Sequence, residues 1–490
     1  MLKNLSYSIG GRGSVFHQKL RWISSSKTLM NDRPSSENPF RRTARILGND
    51  FRRIKNFILP NKNTKELDAF MKKYEREATF PRNCDILIIG GGGVGTSIAF
   101  WLKQKARDGL NVVVVEKNSY KESSMVGGLR QQFSLPENIL ISLYGADFIR
   151  NYKQYLGEEG NLNFTPYGYL TLATEEGAEQ LVNNSKLQNE LGARNEILIP
   201  DKIKAKFPWI NTEGIALGCH GLENEGWFDP FALLNGFKNK AREYGAHFID
   251  GEVEGFEFKD HSDIVIVGGK DTTYKPPEKV NIKMANGEQK QIKFAICIIA
   301  SGEKSGDVGK LANIGTGSGL LGLPIPVEPR DRFVYQFCTQ GEHLPGLATP
   351  LTIDPNGTYF RRDGLGGNFL AGRISEELTT CDRMEYFGTH IQPALANRVK
   401  SFESIKCTNS WTEIEEHNYF DDNGILGPHP MFHNLYIVTG FSGQGIQQTP
   451  AVGRAISELI IDGQFRTIDL SRLGFDRILV DQPMLEANNV

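Results

Sequence analysis

A run of glycines followed at a distance by one acid is the part of this chain with the clearest chemistry. Gly90-x-Gly92-x-x-Gly95, with Gly93 inside it, precedes Glu116. Glycines at that spacing let a backbone turn tightly and approach a pyrophosphate, and the acid then accepts hydrogen bonds from ribose hydroxyls. Two further small-residue turns follow, Ser301-Gly302 and Gly440-Phe-Ser-Gly443-Gln-Gly445. Arg130 and Arg330 are of a type that holds an anionic group with two parallel N–H donors. The same residues read equally as structural ion-pair partners. Tyr335, Tyr359 and Trp411 read as walls of a ligand cavity or as plain strand core.

Each of these groups needs an element to place it. Ile86–Ile89 is a short apolar run, read as a buried parallel strand, and Thr96–Gln104 has a helical pattern. Val112–Glu116 is a second buried strand with its acid at the C-terminal end. The order strand, glycines, helix, strand, acid is a βαβ unit with the phosphates at a helix N-terminus, where unpaired N–H groups favour negative charge. Phe294–Ala300 and Leu435–Val438 repeat the logic, each running into its small-residue turn, and a helical pattern with Val452, Ala455, Ile456, Leu459 and Ile460 follows the last. Turns at the C-terminal ends of strands are where open α/β sheets bind ligands. Three of them imply one extended ligand, and a dinucleotide whose second half is a flavin accounts for the last turn where NAD leaves it idle. Asn163–Ala173 and Pro324–Phe337, rich in aromatic and β-branched residues, imply a second domain with a mixed sheet. Lys270–Lys279, with its Pro-Pro pair, reads as a surface loop.

The first 55 residues differ from the rest. They hold 12 basic and 3 acidic residues, a balance of +9, so with a chain net charge of −2 the remainder carries −11. Residues 1–31 have no acid and many serines, the composition of a mitochondrial presequence, although a basic tail that binds anionic surfaces has the same look. An acidic remainder argues against nucleic acid as a partner. Leu67, Phe70, Met71 and Tyr74 predict an amphipathic helix over 65–77 that leads into the fold. Cys84–Leu102 has a single charged side chain, Asp85, before Lys103 and could be mistaken for a membrane span, but its consecutive glycines would break such a helix. Six scattered cysteines without a CxxC pair, and nine histidines without HExxH, predict neither a disulfide framework nor a metal site. His429 and His433, flanked by Pro428 and Pro430, are read as loop residues.

The order of motifs resembles the D-amino-acid oxidase class of FAD oxidoreductases, from about Asp85 to about Gly463. Asp229-Pro230, Leu233-Leu234 and Gly245-Ala246 match it as well. Within the class the chain is similar to a mitochondrial branch that serves assembly of respiratory complex I. Gln131–Ile139, Phe207–Gly214, Glu225–Pro230, Pro326–Arg330, Gly424–Pro430 and Phe465–Leu470 carry that similarity. The resemblance implies an α/β fold: a Rossmann-type FAD-binding domain (about 84–160, 215–320 and 405–470) with an interleaved α+β substrate-type domain (about 161–214 and 321–404). Residues 1–55 would be presequence and leader, and 56–83 a helical lead-in. It implies noncovalent FAD, since no cysteine stands between Trp411 and Gly427 where one subgroup tethers its flavin. Its contacts would be Gly90, Gly92, Gly93, Gly95, Glu116, Lys117, Gly127, Gly128, Val253, Ser301, Gly302, Gly440, Gly443, Gln444, Gly445 and Ile446. It implies complex I subunits or assembly intermediates as partners, a matrix-side location at the inner membrane with peripheral association, and, as the alternative activity, oxidation of a small secondary amine or amino acid. Two departures bear on that alternative. Trp411-Thr-Glu-Ile-Glu415 replaces the class pattern Trp-x-Gly-x-Tyr, adding acids near the active-site wall. Gln447 stands where sarcosine-type enzymes place a lysine that pairs with the substrate carboxylate. No catalytic residue follows from the sequence beyond the candidates Arg130, Arg330, Trp411 and Gln447.

Overall fold

Valine and isoleucine runs with no polar interruption form strands covered on both faces. In the computed structural model Asn83–Ile89 and Val112–Glu116 pair in parallel, Ile86 to Val112 through Ile89 to Val115. Residues 80–117, 126–157, 161–261, 274–339, 344–374 and 382–487 are described. The expectations for the leader, 1–55, and for the helix over 65–77 lie outside the described residues. Residues 84–490 constitute one unit.

Seven strands make the first sheet. Val113–Glu116 pairs in parallel with the start of His247–Phe258, and the end of Gln289–Ile299 pairs in parallel with Leu435–Thr439. The backbone N–H of Ala300 donates to the Ile89 carbonyl at 2.8 Å, which brings the second turn beside the first. The strand expected over 294–300 starts earlier, at Gln289, because its first half pairs antiparallel with Pro277–Met284. That partner strand also takes Pro277–Lys279 out of the expected loop, while 262–273 lies outside the described residues.

Helices cover this sheet. Gly93–Ala106 follows the first glycine turn, and Pro230–Glu243 starts where Asp229 Oδ1 accepts from the N–H groups of Phe231 and Ala232 at 2.9 and 3.1 Å. Phe100, Phe148 and Phe237 interlock between helices, with ring centroids 5.2–5.3 Å apart. Gly445–Asp462 packs closely on Gly93–Ala106, since a Cβ on Gly453 would overlap Ser97. Ser97 Oγ donates to the Thr449 carbonyl at 2.8 Å and Trp101 Nε1 to that of Pro450 at 2.9 Å, so the kink-prone proline segment is pinned to its neighbour. Cys84–Leu102 is thus strand, turn and helix. No helix among the described residues is long and apolar enough to cross a membrane.

The second sheet has eight strands, in the order Lys406–Asn418, Val327–Cys338, Asn368–Arg373, Thr358–Arg362, Leu351–Ile353, Tyr169–Ala173, Leu217–Gly221, Asn195–Leu198. Two domain boundaries therefore move. Leu217–Gly221 and Lys406–Asn418 were assigned to the FAD-binding part, yet both pair within this sheet. Their sequences alternate like any half-buried strand, and only pairing partners distinguish the two sheets. One sheet face, with Tyr335, Phe337, Phe360 and Phe369, packs on the helical turns between Arg383 and Phe402. Tyr335 is fully buried there, its hydroxyl donating to the Arg383 carbonyl at 2.8 Å, so it is core and not cavity wall.

Candidate functional site

A cavity of about 1230 Å³ is lined by the small-residue turns of the first sheet and by one face of the second. The turns are locked together by backbone geometry. Gly90, at φ +107°, sits so close to Ala300 and Ser301 that a Cβ would overlap both. Gly95 is likewise pressed against the Gly90 carbonyl. It therefore holds helix against strand and does not reach the cavity. Two helices start on the wall without a side-chain cap and without an acid in the first turn, Gly93–Ala106 and Gly445–Asp462. Orphan N–H groups at uncapped helix starts, facing a common cavity, fit the diphosphate of a dinucleotide at one and an electron-rich ring edge at the other. Glu116 Oε2 accepts from the Gly91 N–H at 2.5 Å, tying the acid to the turn.

Most of the sequence-derived positions meet here. Gly90, Gly92, Gly93, Glu116, Lys117, Gly127, Gly128, Val253, Ser301, Gly302, Gly443, Gln444, Gly445 and Ile446 line the cavity, as do Arg130, Arg330 and Gln447. Lys117 also pairs with Glu252 at 2.6 Å in an exposed bridge. Gly440 and Trp411 are not on the wall. Gly440 packs on Asn418 and Val327, and its N–H donates to Glu416 Oε2 at 3.2 Å. Trp411 Nε1 donates to Glu413 Oε1 at 3.2 Å, so it supports a wall residue from alongside on the same sheet face.

Strand register explains the substrate side. Trp411, Val334, Gly372, Tyr359 and Ile353 form one row across the sheet and share a face. Positions two or four residues along their strands share it too: Tyr169, Leu351, Arg330, Arg332, Glu413 and Glu415, all of which line the cavity. Tyr359 lies over Gly372, where a Cβ would overlap its hydroxyl.

The charges on this face are unevenly shared. Register places Glu415 opposite Arg330 and Glu413 opposite Arg332. Yet both guanidinium groups reach Glu415, Arg330 Nε at 3.1 Å and Arg332 Nε at 2.7 Å. Arg330 is thus an ion-pair partner. Burial pushes the Glu413 carboxyl up to about 7, with Glu415 adding to the rise and the Trp411 donation opposing it. Burial also pushes Glu416 up to about 7 against donations from Gly440 and Thr439. Arg130 is 9% exposed and its guanidinium stands 5.0 Å over the Phe133 ring, with no hydrogen-bond or ion-pair partner among the described residues. Gln447 Oε1 accepts from the Arg130 N–H at 2.8 Å and its Nε2 donates to Gln444 at 3.2 Å, so that amide fixes the loop carrying Arg130.

Sequence reasoning missed two residues at this site. Glu225, whose carboxylate accepts from Gln131 N at 2.7 Å and Gln132 Nε2 at 2.8 Å, anchors the other side of the Arg130 loop. Glu486 Oε2 accepts from the N–H groups of Ser134 and Leu135 at 2.6 and 3.2 Å and borders the cavity. Nothing local marks either; only the chain's return path brings them there. Among the described residues no three metal-ligating side chains gather.

Comparison with known proteins gives consistent findings. The profile of the family described as FAD dependent oxidoreductase matches residues 85–459. The FAD-dependent oxidoreductase domain-containing protein 1 homolog of Drosophila melanogaster is 52% identical over 476 residues, 92% of each chain. Its counterpart from Xenopus laevis is 45% identical over 84% of this chain and 85% of its own. Among solved structures, L-proline dehydrogenase from P. horikoshii superposes with a TM-score of 0.64 at 24% identity, covering 83% of this chain and all of that one.

Proposed function

Because the chain belongs to the FAD dependent oxidoreductase family, whose cofactor is FAD, we propose that it is a mitochondrial flavoprotein that holds FAD noncovalently and serves the assembly of respiratory complex I. One observation carries the noncovalent reading. Neither a cysteine nor a histidine lines the cavity, so no described wall residue of those types can form a bond to the ring. The uncapped start of Gly93–Ala106 would hold the diphosphate and Glu116 the ribose, while the start of Gly445–Asp462 would face the pyrimidine edge. Bound FAD supplies a two-electron acceptor; orientation and charge placement fall to the protein.

The assembly role is supported by the similarity carried from Gln131 to Leu470, and the matrix location by the acid-free leader. The corresponding experiment removes the protein from cells and resolves complex I on native gels. Reduced complex I with an accumulated intermediate is expected, and intact complex I overturns the reading. A truncation lacking residues 1–31 should stay in the cytosol, and normal import would refute the leader. Arg130, whose guanidinium has no hydrogen-bond or ion-pair partner among the described residues, favours a second reading, oxidation of a small amine that bears a carboxylate. Loss of amine turnover with intact complex I would replace the first reading by the second.

A further inference from the structure

We propose that Glu416 couples the reduction of bound FAD to the uptake of a second proton, which its own carboxyl holds. The inference rests on the flavoprotein reading of the cavity and adds to it a group that sets how reduction depends on pH. Glu416 follows Glu415 on the strand Lys406–Asn418, so its side chain leaves the opposite face of the strand. There it stands between the second and third small-residue turns. Its Oε2 accepts from Thr439 Oγ1 at 3.0 Å and from the Gly440 N–H at 3.2 Å. The same hydroxyl lies 3.2 Å from the Gly302 carbonyl, so it joins the carboxyl to both turns. Oε1 lies toward the start of the helix Gly445–Asp462, where a Cβ on Gly445 would stand 3.1 Å from it. That helix start is where the pyrimidine edge of FAD would sit, and Glu416 lines the cavity.

Two carboxylates thus approach the third turn, and only one is balanced. Glu415, whose Oε1 would stand 2.7 Å from a Cβ on Gly443, takes both Arg330 and Arg332. Glu416 has no ion pair among the described residues, and the residue opposite it on the next strand is Pro329. The charged groups around it supply no cation. On the second turn Glu303 adds a negative charge, and Lys304 pairs with Asp307 at 3.8 Å. On its own strand His417 turns to Asp422 at 3.3 Å and to Glu328 at 3.8 Å. The third turn offers neutral donors alone, and burial with Glu303 outweighs them to hold the carboxyl up at about 7. Reduction by a two-electron donor adds two electrons and one proton to the ring and leaves one net negative charge at its pyrimidine edge. An ionised carboxyl opposes that charge and a protonated one donates to it, so reduction raises the proton affinity of Glu416. Between the affinities of the two redox states the carboxylate takes a proton from water. Two electrons and two protons then enter together, one proton on the ring and one on Glu416.

The test measures the reduction potential of FAD-loaded protein from pH 5.5 to 9, with dithionite as reductant and a reference dye, for the wild type and Glu416→Gln. The amide keeps the shape of the protonated acid and has no proton to exchange. Each proton taken up with two electrons changes the equilibrium tenfold per pH unit, about 30 mV. From pH 7 to 8 the wild-type potential should fall by about 60 mV per unit and that of the variant by about 30 mV. The two should coincide at pH 5.5, and at pH 9 the variant should lie higher by about tenfold in the equilibrium, about 30 mV. The absorption spectrum of the reduced ring should not change from pH 7 to 8, which shows that the ring does not take the second proton. A difference that is constant with pH, or absent, overturns the proposal, as does a reduced-ring spectrum that titrates in that window. If Glu416→Gln fails to fold, the wild type decides alone: a fall of about 30 mV per unit from pH 7 to 8 overturns the assignment. Protein that holds no FAD defeats the flavoprotein reading instead, which keeps the two failures distinct.

Discussion

Replacing Glu225 by glutamine should flatten the dependence of stability on pH. Glu225 is 3% exposed, and burial pushes its carboxyl up to about 7, against donations from Gln131 and Gln132 and the positive charge of Arg130. Its ordinary value is 4.5. The folded protein therefore binds the proton more tightly than the unfolded chain does. The resulting stabilisation is complete below about pH 4.5 and is lost as pH rises through about 7. At about 1.4 kcal/mol for each tenfold in proton affinity, the difference is about 3 kcal/mol. Glu413 and Glu416, both raised to about 7, act in the same sense, so the wild type alone does not isolate Glu225. The comparison with Glu225→Gln does. Urea denaturation of the FAD-loaded proteins at half-unit steps from pH 5 to 8 should show the wild type losing about 3 kcal/mol more than the variant across that window. Parallel curves would refute the raised carboxyl. A wild type that gains stability relative to the variant as pH rises would reverse the sign and point to a paired, ionised Glu225.

Gly95→Val should cut the FAD content of purified protein. Its side chain would press on the Gly90 carbonyl, at about 1–3 kcal/mol of strain where the phosphate turn is set, and full flavin occupancy would contradict the packing role. Arg477→Met should cost about 3–5 kcal/mol, because Asp421 loses contacts of 2.7 and 3.0 Å in a fully buried pair. Adding Asp421→Asn should recover part of the loss, and an Arg477→Met curve matching wild type would rule the pair out as a stabilising element. Glu486→Ala removes the acceptor at the start of the helix Pro136–Arg150, which has no cap of its own, and should cost about 0.5–2 kcal/mol. Faster amide exchange at Ser134 and Leu135 is the readout, and unchanged protection would show the C-terminal segment to be dispensable there.

The βαβ unit was legible because its signals are local. A buried strand, a glycine turn, a helix and an acid follow within about thirty residues, and each glycine answers to a contact with its own neighbourhood. Gly440 and Gly95 show the limit of that logic. Both belong to a glycine motif, yet one packs on Asn418 and the other on the first turn, and neither touches the cavity. Strand assignments survived for the same local reason, whereas domain membership did not. Leu217–Gly221 and Lys406–Asn418 alternate like other strands, and it is pairing across the chain that puts them in the second sheet.

What the sequence determined by itself was the class of ligand site: a dinucleotide cradle, with an inserted mixed sheet to form the opposite wall. Periodicity and glycine spacing suffice for that, since they act within one element and its neighbours. The electrostatics of the opposite wall were decided by tertiary structure alone. Arg330, Arg332, Glu413 and Glu415 could pair in two ways with equal local merit. Only the side-chain paths across the folded sheet give both arginines to Glu415 and leave Glu413 without a salt bridge among the described residues. Charge pairing depends on separations of a few ångströms between strands about eighty residues apart in the chain, and no local pattern encodes that distance.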